Sequence, residues 1–380
     1  MKSSKTFTLL SIFLILATLN ACKKESEVKK AEKVSATKCP RLGSLTTVKS
    51  SALYTVSTYA GADYNSDRPP FEGDIINGVL CDARFVRPHG ITISPEGIIF
   101  ISDEISNIRQ IDTKGMVSTF AGKTDGSAFD NGFEDGPGTV ARFWGPTEIM
   151  LHKDGYMYII DQLNEAVRKV SSIAEVSTLK SSFQREKGYQ DGPLSEAKFG
   201  SHFNSIVSGP DGSIYLSEAN NVIRKINSEG LVSTFAGQIP VNGEPQEGYQ
   251  DGPKKNALFG GVSEMTFAPD GSLYFCDRVN NKLRKITPAG MVETVTELLD
   301  PFSQPAIAIS PQGVVYISVT SQIFRLDADG TLQLVAGSTT SEHKDGVGTL
   351  ARFREIKQMA IHKNYLYMTD GTTVRRMNIE

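Results

Sequence analysis

The chain has 380 residues, room for two ordinary domains, with 39% hydrophobic residues, 22% charged residues and a net charge of −3. That hydrophobic share is ample for a core, and the absence of basic excess argues against nucleic acid, which calls for a cationic face. Nothing beyond the N-terminus is long and apolar enough to span a bilayer, and the 34 glycines signal a chain dense in turns.

Lys2 and Lys5 precede an apolar stretch from Phe7 to Leu19, the pattern of a secretory signal. The stretch runs into Leu19-Asn20-Ala21-Cys22, which resembles a bacterial lipobox with Cys22 as the lipidated residue. Residues 1–21 are therefore read as a lipoprotein signal peptide, and 22–50 as the lipidated cysteine with a flexible Lys/Glu/Ser/Ala tether too polar to fold alone. Residues 51–380 are read as the folded domain. Cleavage removes two lysines and no acid, leaving a charge of −5. An acyl anchor makes the lipid bilayer a partner and sets the protein in the bacterial cell envelope, on the outer membrane or the cell surface. Disulfides are permitted there. Cys39 and Cys81 can pair and pin the tether, two free thiols being the alternative. Cys276, within the apolar run LYFCD, reads as a buried thiol.

The folded part opens on LYTVSTYAG (Leu53 to Gly61), the last strand of a repeat whose other strands do not precede it. Complete copies follow. An Ala-x-Phe step recurs at Ala83/Phe85, Ala141/Phe143, Ala197/Phe199, Ala257/Phe259 and Ala351/Phe353. Each Ala comes six residues after a turn residue, Asn77, Asp135, Asp191, Asp251 or Asp345, and each of those is followed by Gly. A third-strand arginine recurs as Arg109, Arg168, Arg224, Arg284, Arg325 and Arg375. The first four alanines are 58, 56 and 60 residues apart, and the gap of 94 that follows holds a degenerate copy marked by Phe302, Pro305, Gly313 and Arg325. Each copy carries four short apolar runs separated by Gly, Pro, Asn and Asp, which predicts a four-stranded antiparallel sheet. The last copy, Ala351 to Ile379, has three strands and no fourth. Joining the first strand to the last sheet closes a ring and removes the exposed edges. The prediction is an all-β, six-bladed β-propeller.

The pattern A-R-F-x-x-P-x-G-I, then D-G-x-(I/L)-Y-(I/V)-x-D-x-x-N-x-x-(I/V)-R-K-I, then G-x-V-S-T-F-A-G resembles the NHL repeat, most clearly over 83–122, 197–237 and 257–295. The resemblance covers residues 53–380 and implies a propeller of the gluconolactonase-like superfamily. Its relatives include binding modules, RNA-binding regulators, metal-dependent lactonases and an amidating lyase.

The acids ending the second strand (Asp103, Asp161, Glu218, Asp277, Asp370) recur in almost every copy, so they read as structural, turn acceptors or partners of the repeated arginine. Function is sought where the copies differ. The pairs expected just before the inner strand are His89/Gly90, Thr147/Glu148, Asn204/Ser205, Ser263/Glu264, Pro305/Ala306 and Lys357/Gln358. They form a varied, polar ring at the channel mouth, which His202 can join. The candidate binding residues are His89, Glu148, His202, Asn204, Ser263, Glu264, Lys357 and Gln358. The leading expectation is a ligand-binding or protein-interaction module for a glycan or a cell-surface partner, with no cofactor. The alternative is a metal-dependent hydrolase or lyase of the gluconolactonase-like or amidating-lyase-like type, with Ca or Zn at Glu148, Asn204, Glu264 or Asp277. No catalytic residue is assigned, and neither a nucleophile elbow nor a phosphate loop is present.

Overall fold

Short apolar stretches punctuated by Gly and Asp-Gly turns form six separate antiparallel sheets. The structure is a computed structural model. It describes residues 53–62, 75–123, 131–181, 187–200, 202–219, 221–238, 246–298, 300 and 304–380. The chain divides at Lys38/Cys39. The signal peptide, Cys22 and the tether lie outside the described residues, as does Phe302.

Each sheet is one blade, with strands a to d running outward from the axis. Blade 1 has Pro88–Ile93, Ile99–Asp103, Asn107–Ile111 and Met116–Gly122. Blade 2 has Pro146–Leu151, Met157–Asp161, Ala166–Val170 and Val176–Ser181. Blade 3 has Phe203–Ser208, Ile214–Glu218, Ile223–Ile226 and Leu231–Ala236. Blade 4 has Val262–Phe267, Leu273–Asp277, Lys282–Ile286 and Met291–Glu297. Blade 5 has Ile307–Ile309, Val315–Val319, Gln322–Leu326 and Leu332–Gly337. Blade 6 has Ile356–His362, Tyr365–Asp370 and Thr373–Asn378.

The fourth strand of blade 6 comes from the other end of the chain. Thr55–Ala60 pairs antiparallel with Thr373–Asn378, with Val56 opposite Met377 and Ala60 opposite Val374. The ring therefore closes as its sequence predicts. The strand count is larger than predicted. In blades 1, 3, 4 and 6 a two-residue strand following the Asn/Asp turn residue (Gly78–Val79, Gly192–Pro193, Gly252–Pro253 and Gly346–Val347) adds a fifth member outside strand d. In blade 2 the matching Gly136 makes a single bridge to Val176.

Between blades the core is built from the repeated positions. Ile91, Ile149, Ile206, Met265, Ile307 and Met359 on the inner strands are all buried. Each Ala-x-Phe wedges between neighbours: Ala141 and Phe143 pack with Ile108 and Ala121 of blade 1 and with Ile149 and Ile159 of blade 2. Cys276 is a free buried thiol. Cys81 is disulfide-bonded, but its partner, and with it the Cys39–Cys81 pairing, lies outside the described residues.

The arginine column is fully buried in five blades, at Arg109, Arg168, Arg224, Arg284 and Arg375. In blade 2, Arg168 donates to Asp161 Oδ2 at 2.8 Å, to Asp135 Oδ1 at 2.8 Å, and to the carbonyls of Arg142 and Glu134. The acid ending strand b, the turn acid and the outer loop are thus tied to one guanidinium. Blade 5 departs from this plan because Val319 stands where the other blades end strand b with an acid, and no Asp-Gly turn covers the sheet. Its Arg325 is half-buried and bonds Asp327, Gln333 and the Tyr54 hydroxyl instead.

These two settings give opposite mutational outcomes. Asp161→Ala removes the buried partner of the buried Arg168 and leaves it only the half-exposed Asp135, a loss that for a broken buried pair runs to roughly 3–5 kcal/mol. Asp327→Ala breaks an exposed pair worth about 0–1 kcal/mol. Thermal denaturation checks this: Asp161→Ala melts far below the wild type and Asp327→Ala close to it.

Candidate functional site

The pairs expected just before strand a lie inside it in five blades. The a–b register shifts between Pro88 and Ile91, Pro146 and Ile149, Phe203 and Ser205, Val262 and Met265, and Ile356 and Met359. A bulge of this kind bends the strand and redirects its side chains. Here it sits at the mouth end of each inner strand. In blade 5, Pro305 and Ala306 precede the strand.

The acids ending strand b fasten this region from behind. Asp103 accepts from the amides of Val86 and Arg87, Asp161 from Trp144, Glu218 from Gly200, Asp277 from Gly260, and Asp370 from Arg354 and Glu355. The loop entering each inner strand is thereby held by the same carboxylate that meets the buried arginine.

The second residue of each variable pair points at the axis. Going round the ring these residues are Gly90, Glu148, Ser205, Glu264, Ala306 and Gln358, large and polar in even blades and small in odd ones. Gly90 is required by close approach. A Cβ there would lie 2.2 Å from the Thr147 carbonyl and 2.7 Å from Ser102 Oγ. Glu148, Glu264 and Gln358, from alternate blades, meet in the channel and are buried. Gln358 Nε2 donates to Glu148 Oε2 at 2.7 Å, and its Oε1 accepts from the Ile91 amide. Burial raises Glu148 to about 8. Glu264 is also raised, first by burial and then by the charge of Glu148. At neutral pH both carboxyls are therefore held toward their protonated, uncharged form.

This trio forms a septum. Above it lies a cavity of about 430 Å³ at the mouth, and below it one of about 240 Å³ between the inner strands; Glu148 and Glu264 line both. The mouth cavity is also lined by Arg87, His89, Glu104, Gln162, Asn204, Ser263, Arg278 and Lys357. Arg87 pairs with Glu104 at 3.3 Å and Lys357 with Glu355. Arg278 has no side-chain hydrogen bond or ion pair among the described residues. His89 Nδ1 is buried without a hydrogen-bond partner. Burial, with Lys357 and Arg87 nearby, pushes its imidazole down to about 3, so it is neutral. The lining thus presents three cations above a protonated carboxyl pair.

Of the expected binding residues, His89, Glu148, Asn204, Ser263, Glu264 and Lys357 line the mouth cavity and Gln358 backs its floor. His202 is exposed and outside the lining. Of the proposed metal set, Glu148, Asn204 and Glu264 line the mouth cavity, with the Asn204 amide donating to the Val262 carbonyl. Asp277 is apart from them, fully buried on Arg284, Asn280 and the Gly260 amide. Among the described residues no three His, Cys, Asp or Glu side chains group as a cation site. Arg87, Glu104, Gln162 and Arg278 were not anticipated. Glu104, Gln162 and Arg278 follow the strand b acid in their blades, where Ala219 and Gly371 stand in others. That column varies as much as the one before strand a and carried the same signal.

No family model matches the chain. Teneurin-3 of Danio rerio is 24% identical over 290 residues, which are 70% of this chain and 10% of that protein. The chain thus spans about a tenth of the length of the curated relatives it matches. Virginiamycin B lyase of Staphylococcus aureus is 15% identical, with a TM-score of 0.52 over 77% of this chain and 95% of that one. Regucalcin of Agrobacterium tumefaciens, a calcium-binding protein, is 12% identical, with a TM-score of 0.50 over 80% of this chain and 96% of that one. The structural neighbours are gluconolactonase-like six-bladed propellers, and what the chain shares with them at these identities is the fold.

The raised carboxyls have a measurable signature. Between the ordinary glutamate range and about 8 the folded pair binds more protons than the unfolded chain, so its contribution is full at low pH and is lost as pH rises through 8. From pH 7 to 9, above the ranges of His89 and of Asp161, which burial raises to about 6, the melting temperature of the wild type falls. The slope is at most about 1.4 kcal/mol per pH unit for one proton. In the Glu148→Gln, Glu264→Gln double variant the profile over this range is flat.

Proposed function

We propose that the protein is a lipid-anchored, extracytoplasmic binding propeller that takes a small anion, or the acidic end group of a larger molecule, into its mouth. One observation carries this reading: Arg87, Arg278 and Lys357 surround a cavity whose floor carboxyls hold a proton instead of repelling an anion. A volume of about 430 Å³ is within the ordinary range for small-ligand sites. Arg278 offers a planar fork suited to a carboxylate or phosphate, and the protonated glutamate offers a hydrogen bond to a ligand oxygen. The envelope address rests on the basic, apolar N-terminus and on Cys22. The likeness of the repeat to the NHL pattern fits a binding module of this kind.

A second reading has its own support. A carboxyl raised to about 8, beside a second that burial also raises, can give and take a proton near neutral pH. The fold neighbours include a lyase. An enzyme of this kind would act on the same anion by proton transfer.

Isothermal calorimetry with acetate, inorganic phosphate and glucuronate against neutral glucose tests the first reading. The anions bind, affinity falls with added salt, and Arg278→Ala weakens binding tenfold or more without moving the melting temperature. Equal binding of glucose and glucuronate would remove the anion site. Turnover that vanishes in Glu148→Gln while binding persists would favour the enzyme. Replacing Cys22 with Ser should move the protein from the membrane fraction to the soluble fraction.

A further inference from the structure

Trp144 is the only tryptophan of the chain. It follows the blade 2 Ala-x-Phe and is 41% exposed, beside Leu163 at 53%. The repeat does not need it, because Val86, Gly200, Gly260 and Arg354 hold the same place in blades 1, 3, 4 and 6. The sheet core does not use it either, since its neighbour Phe143 supplies the buried wedge.

Its backbone is fixed. The Trp144 amide donates to Asp161 Oδ1 at 2.7 Å, and Asp161 is locked in turn by Arg168 and Asn164. The Trp144 carbonyl accepts from the Leu163 amide at 3.0 Å, and the Gly145 carbonyl accepts from Gln162 at 2.9 Å. Gln162 and Thr147 both line the mouth cavity. The backbone thus sets two exposed apolar residues, Trp144 and Leu163, directly beside residues of the mouth on the blade 2 side, an aromatic and aliphatic shelf in the blade that carries Glu148.

We propose that this shelf is a second subsite, and that the ligand is a carbohydrate chain whose terminal acidic sugar enters the mouth while the next ring lies on Trp144. The inference rests on the anion reading of the mouth. A pyranose has an apolar C–H face that covers an indole and hydroxyls that need polar partners, and the site offers both side by side. Glu104, Gln162, Asn204 and Ser263 supply hydrogen-bonding groups in the cavity, and Arg278 matches a sugar carboxylate. The shelf is one indole and one leucine, far below the roughly 800 Å² per partner of a standard protein interface. That favours a sugar ring over a protein surface.

The single tryptophan makes the test direct, because all indole fluorescence comes from Trp144. Galacturonic acid and its trimer are titrated into wild type, Trp144→Ala and Arg278→Ala, following fluorescence in the proteins that retain Trp144 and heat in all three. The trimer binds at least tenfold tighter than the monomer and shifts the emission, whereas the monomer binds without shifting it. In Trp144→Ala the advantage of the trimer disappears and monomer affinity is kept. Arg278→Ala loses both ligands. If the trimer keeps its advantage in Trp144→Ala, or no glycan shifts the emission, as with a shelf that serves a protein, the subsite is refuted while the mouth stands. If Arg278→Ala binds both sugars as the wild type does, the mouth reading falls first. Trp144→Phe, which retains an aromatic face, keeps most of the trimer advantage and guards against a folding artefact.

Discussion

A buried guanidinium paired with a buried carboxylate is the interaction on which five of the six blades depend. Arg168–Asp161, Arg224–Glu218, Arg284–Asp277 and Arg375–Asp370 have N–O distances of 2.7 to 2.9 Å, and Arg109–Asp103 is longer at 3.9 Å. Removing two charges from water is expensive, and such a pair stabilises a fold only when its remaining donors and acceptors are also met. Here most of them are. In blade 3, Arg224 also reaches the Lys198 and Gln190 carbonyls and Asp191, and its guanidinium lies over the rings of Tyr189 and Phe199. One side chain joins strand c to the outer turn, to strand b and to the wedge phenylalanine. The carboxylate then uses its free oxygen on an amide of the mouth loop. The repeated Asp-Gly, Ala-x-Phe, acid and arginine positions are thus parts of one clamp, which explains why they recur together and why they are lost together. In blade 5 the turn is absent and Val319 replaces the acid; Ser318 Oγ accepts from the Ala306 amide as Ser102 does from Gly90 in blade 1, and the arginine turns outward.

The same logic separates what was legible in the sequence from what was not. Repetition made the fold readable. A strand at one end without partners and a sheet at the other end short by one strand have a single economical solution, and Val56 opposite Met377 is that solution. The short fifth strand was hidden because two residues carry no alternation. It arises when the residue after the turn bonds back to strand d, as Gly192 does to Val232. At the mouth, the variable column before strand a identified Glu148, Glu264 and Gln358 as special, but not their contact. Residues 94 or more positions apart (264 to 358), in blades that are not neighbours, meet because six blades put alternate inner strands about a third of a turn apart round the axis, a relation no local pattern expresses. Asp277 looked like a candidate ligand because its type was right. Its role is decided by Arg284, seven residues on, as Asp161 is by Arg168.

The alternation around the axis shows how the channel tolerates two acids. Gly90 is small because the Thr147 carbonyl leaves no room for a Cβ, and Ser205 turns its hydroxyl to the Met265 amide, so the long side chains that meet are Glu148, Glu264 and Gln358. Two carboxylates buried together would repel strongly. Burial holds both toward the protonated form, and Gln358 donates to one oxygen of Glu148 while its own carbonyl holds the Ile91 amide of blade 1. Blades 1, 2 and 6 are thereby linked at the centre by polar contacts, in a region that a propeller could have filled with apolar side chains at lower cost.

That choice bears on function. An apolar plug would close the channel equally well and would give the mouth a floor indifferent to charge. Two buried carboxyls give it a floor whose charge follows their protonation, under a rim where Arg87 and Lys357 are paired with Glu104 and Glu355 and Arg278 has no partner among the described residues. On the proposed reading, an anion entering such a cavity would gain from Arg278 while the carboxyls stay uncharged, and a cation would gain only where it displaced their protons. The bulges of five inner strands place the side chains on which that reading depends.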